Sequence, residues 1–406
     1  MFNNNYMTSN ENLRFSIYVH IPFCIKKCGY CDFNTYAGLD KLQPEYTNAV
    51  ITEINGWGRR FPGSVISSIA FGGGTPGEMP AEQLSSIVNA IQGSFVVEQN
   101  AEITLEANPG TTSGSAMNSF VDCGFTRISL GAQSFSDQNL VFLDRIHSSE
   151  AIAASLLLAK NAGFRSINLD LIYGLPGQSM DDWGEDLRSA CKLNPDHLSL
   201  YNLTVEEETP LYDRVKKGET ILPSDDVAAE MYEYASSFLS DFGYIQYELS
   251  NWSKPGHHSR HNYGYWTWKS YIGVGAGAHG FIDGERIENI AHPREYIHAL
   301  RNTTNPEAAI TKRESPALNV SIADWLTLHL RLIRGFHEDQ FYKEFGVEVE
   351  IMVGPLLQEL CETEIMERFD SNIKLTSRGR LLHSEVAVKF LIYLEDQDLT
   401  KYMGEG

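Results

Sequence analysis

Short runs of apolar and β-branched residues alternate along the first half of this chain with longer stretches whose apolar positions recur every three or four residues. The runs at residues 15–20, 65–71, 102–107, 127–131, 166–171 and 197–201 read as strands. The stretches near 43–60, 80–92, 112–122, 149–162 and 179–192 read as helices. This alternation predicts an α/β fold with a parallel sheet and helical crossovers. Six such units fill residues 15–205, and the rhythm fades after Tyr201. A partial (β/α)6, TIM-like barrel therefore fits better than a closed eightfold one.

The second half is organised differently. An amphipathic helix is expected over 225–242, followed by an aromatic and glycine-rich segment over 257–281. Helices over 322–334, 338–345 and 353–361 then lead into a hairpin near 366–376, a pattern like a small winged helix. The expected organisation is a disordered lead-in (1–13, with Met7 as a second start), a core barrel (14–240), an aromatic and glycine-rich extension (241–310) and a helical C-terminal domain (311–406).

Charge narrows the partners. The 406 residues carry a formal net charge of −21, which disfavours nucleic acid and anionic membrane surfaces. The winged-helix-like segment shares the bias, with 11 Lys/Arg against 17 Asp/Glu over 311–406. No apolar run reaches membrane-spanning length. The polar, Asn-rich N-terminus does not read as a signal peptide. Six cysteines in so long a chain point to a reducing, cytoplasmic setting.

The candidate chemistry gathers at predicted strand ends, which carry Tyr18 and His20, Gly72-Gly73-Gly74-Thr75, Glu106, Gln133, Asp170 and Tyr201. Parallel barrels build their sites at such ends. Just past the first strand lie Cys24, Cys28 and Cys31, spaced C-x3-C-x2-C with no fourth cysteine nearby. Three thiolates on a [4Fe–4S] cubane leave one iron open to a small chelating molecule. The amino and carboxylate groups of S-adenosylmethionine (SAM) can fill that position, and an electron from the cluster can then cleave SAM to a 5′-deoxyadenosyl radical. A zinc site with a remote fourth ligand is the alternative. Cys123, Cys191 and Cys361 read as small core residues.

The three glycines let backbone approach a ligand, with their amides free to face it. Glu106 and Asp170 end apolar runs, as ligand contacts or as ion pairs closing the barrel. Gln133 can donate and accept at once, and Arg145 can fork onto a carboxylate. The run His261-Asn262-Tyr263-Gly264-Tyr265-Trp266 offers imidazole and aromatic surface, which suits a haem or an ordinary aromatic core.

Taken in order, the cysteine run Pro-Phe-Cys-x3-Cys-x-Tyr-Cys-Asp-Phe, Gly-Gly-Gly-Thr-Pro, Leu-Gly-Ala-Gln-Ser-Phe, Asn-Leu-Asp-Leu-Ile-Tyr-Gly-Leu-Pro-Gly and His-Asn-x-x-Tyr-Trp resemble the radical SAM family around oxygen-independent coproporphyrinogen III oxidase. The resemblance is nearest to its HemW-type haem-chaperone branch and covers about residues 14–390. It implies a cluster on Cys24, Cys28 and Cys31, with Tyr30 in the cluster loop and Tyr18 beside the SAM site. It implies that Gly73, Gly74 and Thr75 bind the methionine part of SAM, and that Glu106, Gln133, Arg145 and Asp170 contact SAM. The oxidases carry a further Cys where this chain has Phe33, which counts against oxidase activity. The His-Asn-x-x-Tyr-Trp run belongs to the chaperone branch, and makes His261 the leading haem ligand. Haem as cargo, haem-accepting proteins and an electron donor for the cluster are the implied partners.

Overall fold

The computed structural model describes residues 13–397. The lead-in expected over 1–13 lies outside that range but for Leu13. Six parallel strands follow the predicted rhythm: β1 (Arg14–Ile21), β2 (Val65–Gly73), β3 (Val96–Ala107), β4 (Arg127–Gln133), β5 (Ser166–Tyr173) and β6 (His197–Asn202). They pair in chain order, each parallel to the next, which requires the helical crossovers between them. The crossover helices Gln43–Arg60, Ala81–Ser94, Gly114–Asp122, Ser149–Ala162 and Met180–Leu193 lie within a few residues of expectation. Their ends are set locally: Ser179 opens the last of them in a capping box with Asp182, and Asn194 closes it in the left-handed conformation.

The strands are apolar on the outer face and polar on the inner one. Ile128 and Leu130 of β4, Leu169 and Leu171 of β5, and Leu198 and Leu200 of β6 are buried in the main hydrophobic core. Their neighbours in the period-2 alternation turn inward. Thr104 and Glu106, Ser129 and Gln133, Asn168 and Asp170, and Ser199 and Tyr201 all line one internal cavity. Chemistry predicted only at strand ends therefore runs down the whole inner wall.

Short strands extend both flanks into a twelve-stranded sheet. β7 (Ile245–Glu248) and β8 (Asn251–Ser253) continue it antiparallel from β6. β9 (Tyr271–Val274) lies parallel beside β1, with β10 (His279–Ile282), β11 (Glu285–Asn289) and β12 (Ile310–Glu314) beyond it. The rhythm that fades after Tyr201 in sequence thus gives way to strands of three to five residues. The buried Glu53 ties this flank to the first crossover helix, accepting from Gly275 N at 2.9 Å, Asn289 Nδ2 at 2.8 Å and the Tyr296 hydroxyl at 2.5 Å.

Between β8 and β9 the chain passes beneath the barrel as the helix Arg260–Trp266, capped by Ser259. Arg127, at the start of β4, donates to His257 O at 3.1 Å, and Glu102, early in the paired part of β3, accepts from His261 N at 3.2 Å. The helix therefore forms the barrel floor, opposite the strand ends that hold the cysteines.

Helices Leu318–Leu330, Glu338–Phe345 and Val349–Glu362 and the hairpin Met366–Phe369 with Asn372–Leu375 build a second hydrophobic core. The final helix His383–Glu395, not expected from the sequence, places Val386, Phe390 and Leu394 in that core. Arg331 joins the two cores. Its Nη2 lies 3.1 Å from the fully buried Glu248, and its guanidinium stacks 4.3 Å above the Trp266 ring. Arg334 covers Tyr263 at 5.3 Å. No helix among the described residues is long and apolar enough to cross a membrane.

Candidate functional site

At the barrel mouth, the loop after β1 carries the three predicted cysteines into the wall of one cavity of about 500 Å³. Side chains from distant parts of the chain hold this loop. Ile25 N donates to Glu78 Oε2 at 2.9 Å, Lys26 pairs with Asp144 at 2.7 Å, and Leu211 N donates to Gly29 O at 2.8 Å. The thiols are free, and burial pushes Cys24 up to about 11. Among the described residues, no three His, Cys, Asp or Glu side chains are grouped closely enough to hold a single ion.

The glycine turn follows β2 directly. Gly73 has φ +102, a left-handed conformation, and a Cβ there would lie 2.4 Å from the His20 ring. A Cβ on Gly72 would meet the Glu106 carboxylate at 2.9 Å. The expected free amides are a correction: Gly74 N and Thr75 N each donate at 2.8 Å, to Ile21 O and Phe23 O. The turn follows β1 as an extra ladder, so those two amides are used in folding. It can offer a ligand close approach and carbonyl oxygens. Thr75 Oγ1 sits 3.6 Å from Cys24 Sγ and accepts from Asn108 Nδ2 at 3.1 Å.

Arg145 reaches the cluster loop from the far side of β4. Its Nη1 lies 3.5 Å from Cys28 Sγ, Nη2 donates to Gly131 O at 3.0 Å and to Asn108 Oδ1, and Nε is buried without a partner. Gln133 ends β4 at φ 66, a strained left-handed conformation for a non-glycine residue. Glu106 opens onto the cavity, where enclosure and then the neighbouring Asp170 push it up to about 7. Burial also raises Asp170, although it accepts from Ser129 at 2.9 Å and Asn168 at 2.8 Å.

Of the predicted site residues, Cys24, Cys28, Cys31, Tyr30, Gly73, Gly74, Thr75, Glu106, Gln133, Arg145, Asp170 and His261 line this cavity. Tyr18 does not; its ring lies 6.5 Å from that of His261 and its hydroxyl 3.1 Å from His20 Nδ1. His261 occupies the floor. The aromatic surface around it is largely taken up by packing, Trp266 and Tyr263 under arginines and Trp268 against Phe281 at 4.6 Å. Asn108 and Ser129 escaped the sequence reading: Asn108 lies just past the end of β3 and Ser129 within β4, and neither residue type carries a signal of its own. The polar period-2 face of β4 and β5 was the signal available.

The cavity fits a cluster and SAM in three respects. The three thiols face one space, a buried Arg145 donor and the buried Thr104 hydroxyl on its wall lack partners, and Glu106 faces inward with a pKa that a cation would lower. Comparison with known proteins agrees. Residues 18–190 match the Radical SAM superfamily. The solved coproporphyrinogen III oxidase (HemN) of Escherichia coli shares the fold, with a TM-score of 0.80 at 24% identity over 94% of this chain and 91% of that one. The chain is 36% identical to the haem chaperone HemW of Mycobacterium tuberculosis over 92% of its length and 93% of that protein. It is 34% identical to HemW of Bacillus subtilis (93% and 99%) and 32% identical to HemW of Escherichia coli (93% and 98%). Identity of this extent over nearly complete chains, joined to a barrel whose inner wall gathers the cysteine loop and the polar strand faces, places the chain in the HemW family of radical SAM proteins.

Proposed function

We propose that this protein handles haem on a radical SAM scaffold: it carries a [4Fe–4S] cluster and SAM, binds haem as cargo, and passes it to haem-accepting proteins. The observation that carries this reading is one continuous cavity with three thiols at its mouth and His261 in its floor. A cluster with an open iron supplies an electron and a chelation point for SAM. Cys24, Cys28 and Cys31 would hold it, with Arg145 placing a positive charge beside Cys28 and Tyr30 flanking the loop. Gly73, Gly74 and Thr75 would take the methionine end of SAM. Glu106 would face its cationic groups, and Gln133 and Asp170 its hydroxyls. Tyr18 would act through His20, and His261 would meet the haem iron. An electron donor is a required partner. Six free cysteines support a reducing, cytoplasmic setting. The second hydrophobic core supports a division into a barrel (14–240), an extension (241–310) and a C-terminal unit from 311.

The complete polar lining of the cavity favours one further reading, oxidative decarboxylation of coproporphyrinogen III. Phe33 stands against it: it is 61% exposed on the rim, where the resembling oxidases carry a Cys. The deciding experiment is anaerobic incubation of cluster-loaded protein with SAM, reductant and coproporphyrinogen III, with products read by mass spectrometry. Intact substrate, with haem bound by the same preparation, is the expected result. Loss of two carboxyl groups per porphyrin would establish the oxidase instead.

A further inference from the structure

His261 is 2% exposed, and both of its ring nitrogens are engaged. Nδ1 lies 3.1 Å from Ser68 Oγ, and Ser68 donates its one hydroxyl proton to Ser16 Oγ at 2.8 Å. With that proton committed, Ser68 can only accept, so Nδ1 carries the imidazole hydrogen. The ring is sealed from water with hydroxyls, and no carboxylate, on its two nitrogens, so it is neutral and has no second hydrogen. Nε2 is therefore the bare nitrogen, and it accepts from the Tyr265 hydroxyl at 2.7 Å. Tyr265 lies one turn along the same helix, its ring edge-on to Tyr271 at 4.6 Å. An imidazole with Nδ1–H held by a protein oxygen and Nε2 bare is the form that ligates a metal. The Tyr265 hydroxyl stands on that lone pair.

We propose that Tyr265 is a displaceable cap on His261, covering Nε2 until a porphyrin-bound iron takes its place, and that Ser68 and Ser16 hold the ring for that exchange. The proposal rests on the reading of His261 as the haem ligand. The exchange moves no proton. The O–H···N bond breaks, the same lone pair forms the N–Fe bond, and Tyr265 keeps its hydrogen. The cap has a direct consequence for specificity. An apolar or metal-free porphyrin offers Nε2 nothing in exchange for the lost hydrogen bond, whereas an iron does.

The test is a haem titration of Tyr265→Phe, Ser68→Ala and His261→Ala at matched cluster content. Removing the cap removes a competing hydrogen bond, so Tyr265→Phe binds haem about three- to tenfold more tightly, with the same histidine-ligated spectrum. Ser68→Ala binds more weakly. If Tyr265→Phe binds equally or less well while His261→Ala loses haem, the cap is refuted and the haem reading survives. If His261→Ala binds as the parent does, His261 is not the ligand and both fall. A haem-free measurement covers the case of a poorly folding variant. Nitrogen NMR of the unaltered protein should show His261 protonated at Nδ1 and bare at Nε2; a proton on Nε2 would overturn the proposal.

Discussion

Glu106 shows how single residues shape this cavity. Its neighbour across the sheet, Gly72, leaves no room for even a methyl group. Gly72→Ala therefore displaces the carboxylate. It should lower SAM affinity at least tenfold, about 1.4 kcal/mol, with iron and sulfide content unchanged; calorimetric titration of cluster-loaded protein checks this. Glu106 also predicts a pH dependence. Its carboxyl sits at about 7 in the folded protein and must lose its proton to meet a cation. SAM binding should strengthen as pH rises from 6 to 8, and Glu106→Gln should flatten that profile. Much of this was legible from the chain: the cysteine spacing, the glycines and the terminal carboxylates stood out. The left-handed backbone of Gln133 did not, because a φ of 66 at a glutamine is imposed by the bulge where β4 meets β5. Nor did the use of the Gly74 and Thr75 amides, which depends on β1 running alongside.

Among elements, the six core strands could be read because each is a short apolar, β-rich run set between helical patterns. The flanking strands could not, since three to five residues carry too little pattern to separate from loop. The floor helix Arg260–Trp266 was visible as a motif but not as a floor, because Glu102 and Ser68 lie 159 and 193 residues away in sequence. Glu53 is the element-scale analogue, one carboxylate joining a crossover helix to the β9–β11 flank. Burial raises it from 4.5 to about 7 against the pull of its three donors. A carboxyl raised on folding contributes stability that is present below about 4.5 and is lost as pH rises through about 7. Glu53 should therefore contribute a fall of about 2–3 kcal/mol between pH 5 and 8, read as the difference between the denaturant-unfolding profiles of the parent and Glu53→Gln. The substitution removes that component at a cost, since its amide must face the donors of Gly275, Asn289 and Tyr296.

At the scale of the molecule, Arg331 makes the C-terminal unit part of the barrel floor. Arg331→Ala takes the cation from Glu248, which is 0% exposed and is left with its Ser250 and Asn251 donors, and uncovers Trp266. The expected loss is about 2–4 kcal/mol, read by denaturant midpoint, with blue-to-red movement of tryptophan emission. The outward-facing core has a different consequence. Leu, Ile and Phe side chains stabilise this barrel from outside the ring of strands, and its interior contributes few apolar contacts. Small metal domains fold only around their ions; this hydrophobic core is built from side chains alone. Chelating the iron should shift the melting temperature by less than about 4 °C, equivalent to under 1–2 kcal/mol. If the shift is that small, a cell would keep a pool of folded, unloaded protein through iron scarcity or oxidative damage and recharge it in place, with no new synthesis required.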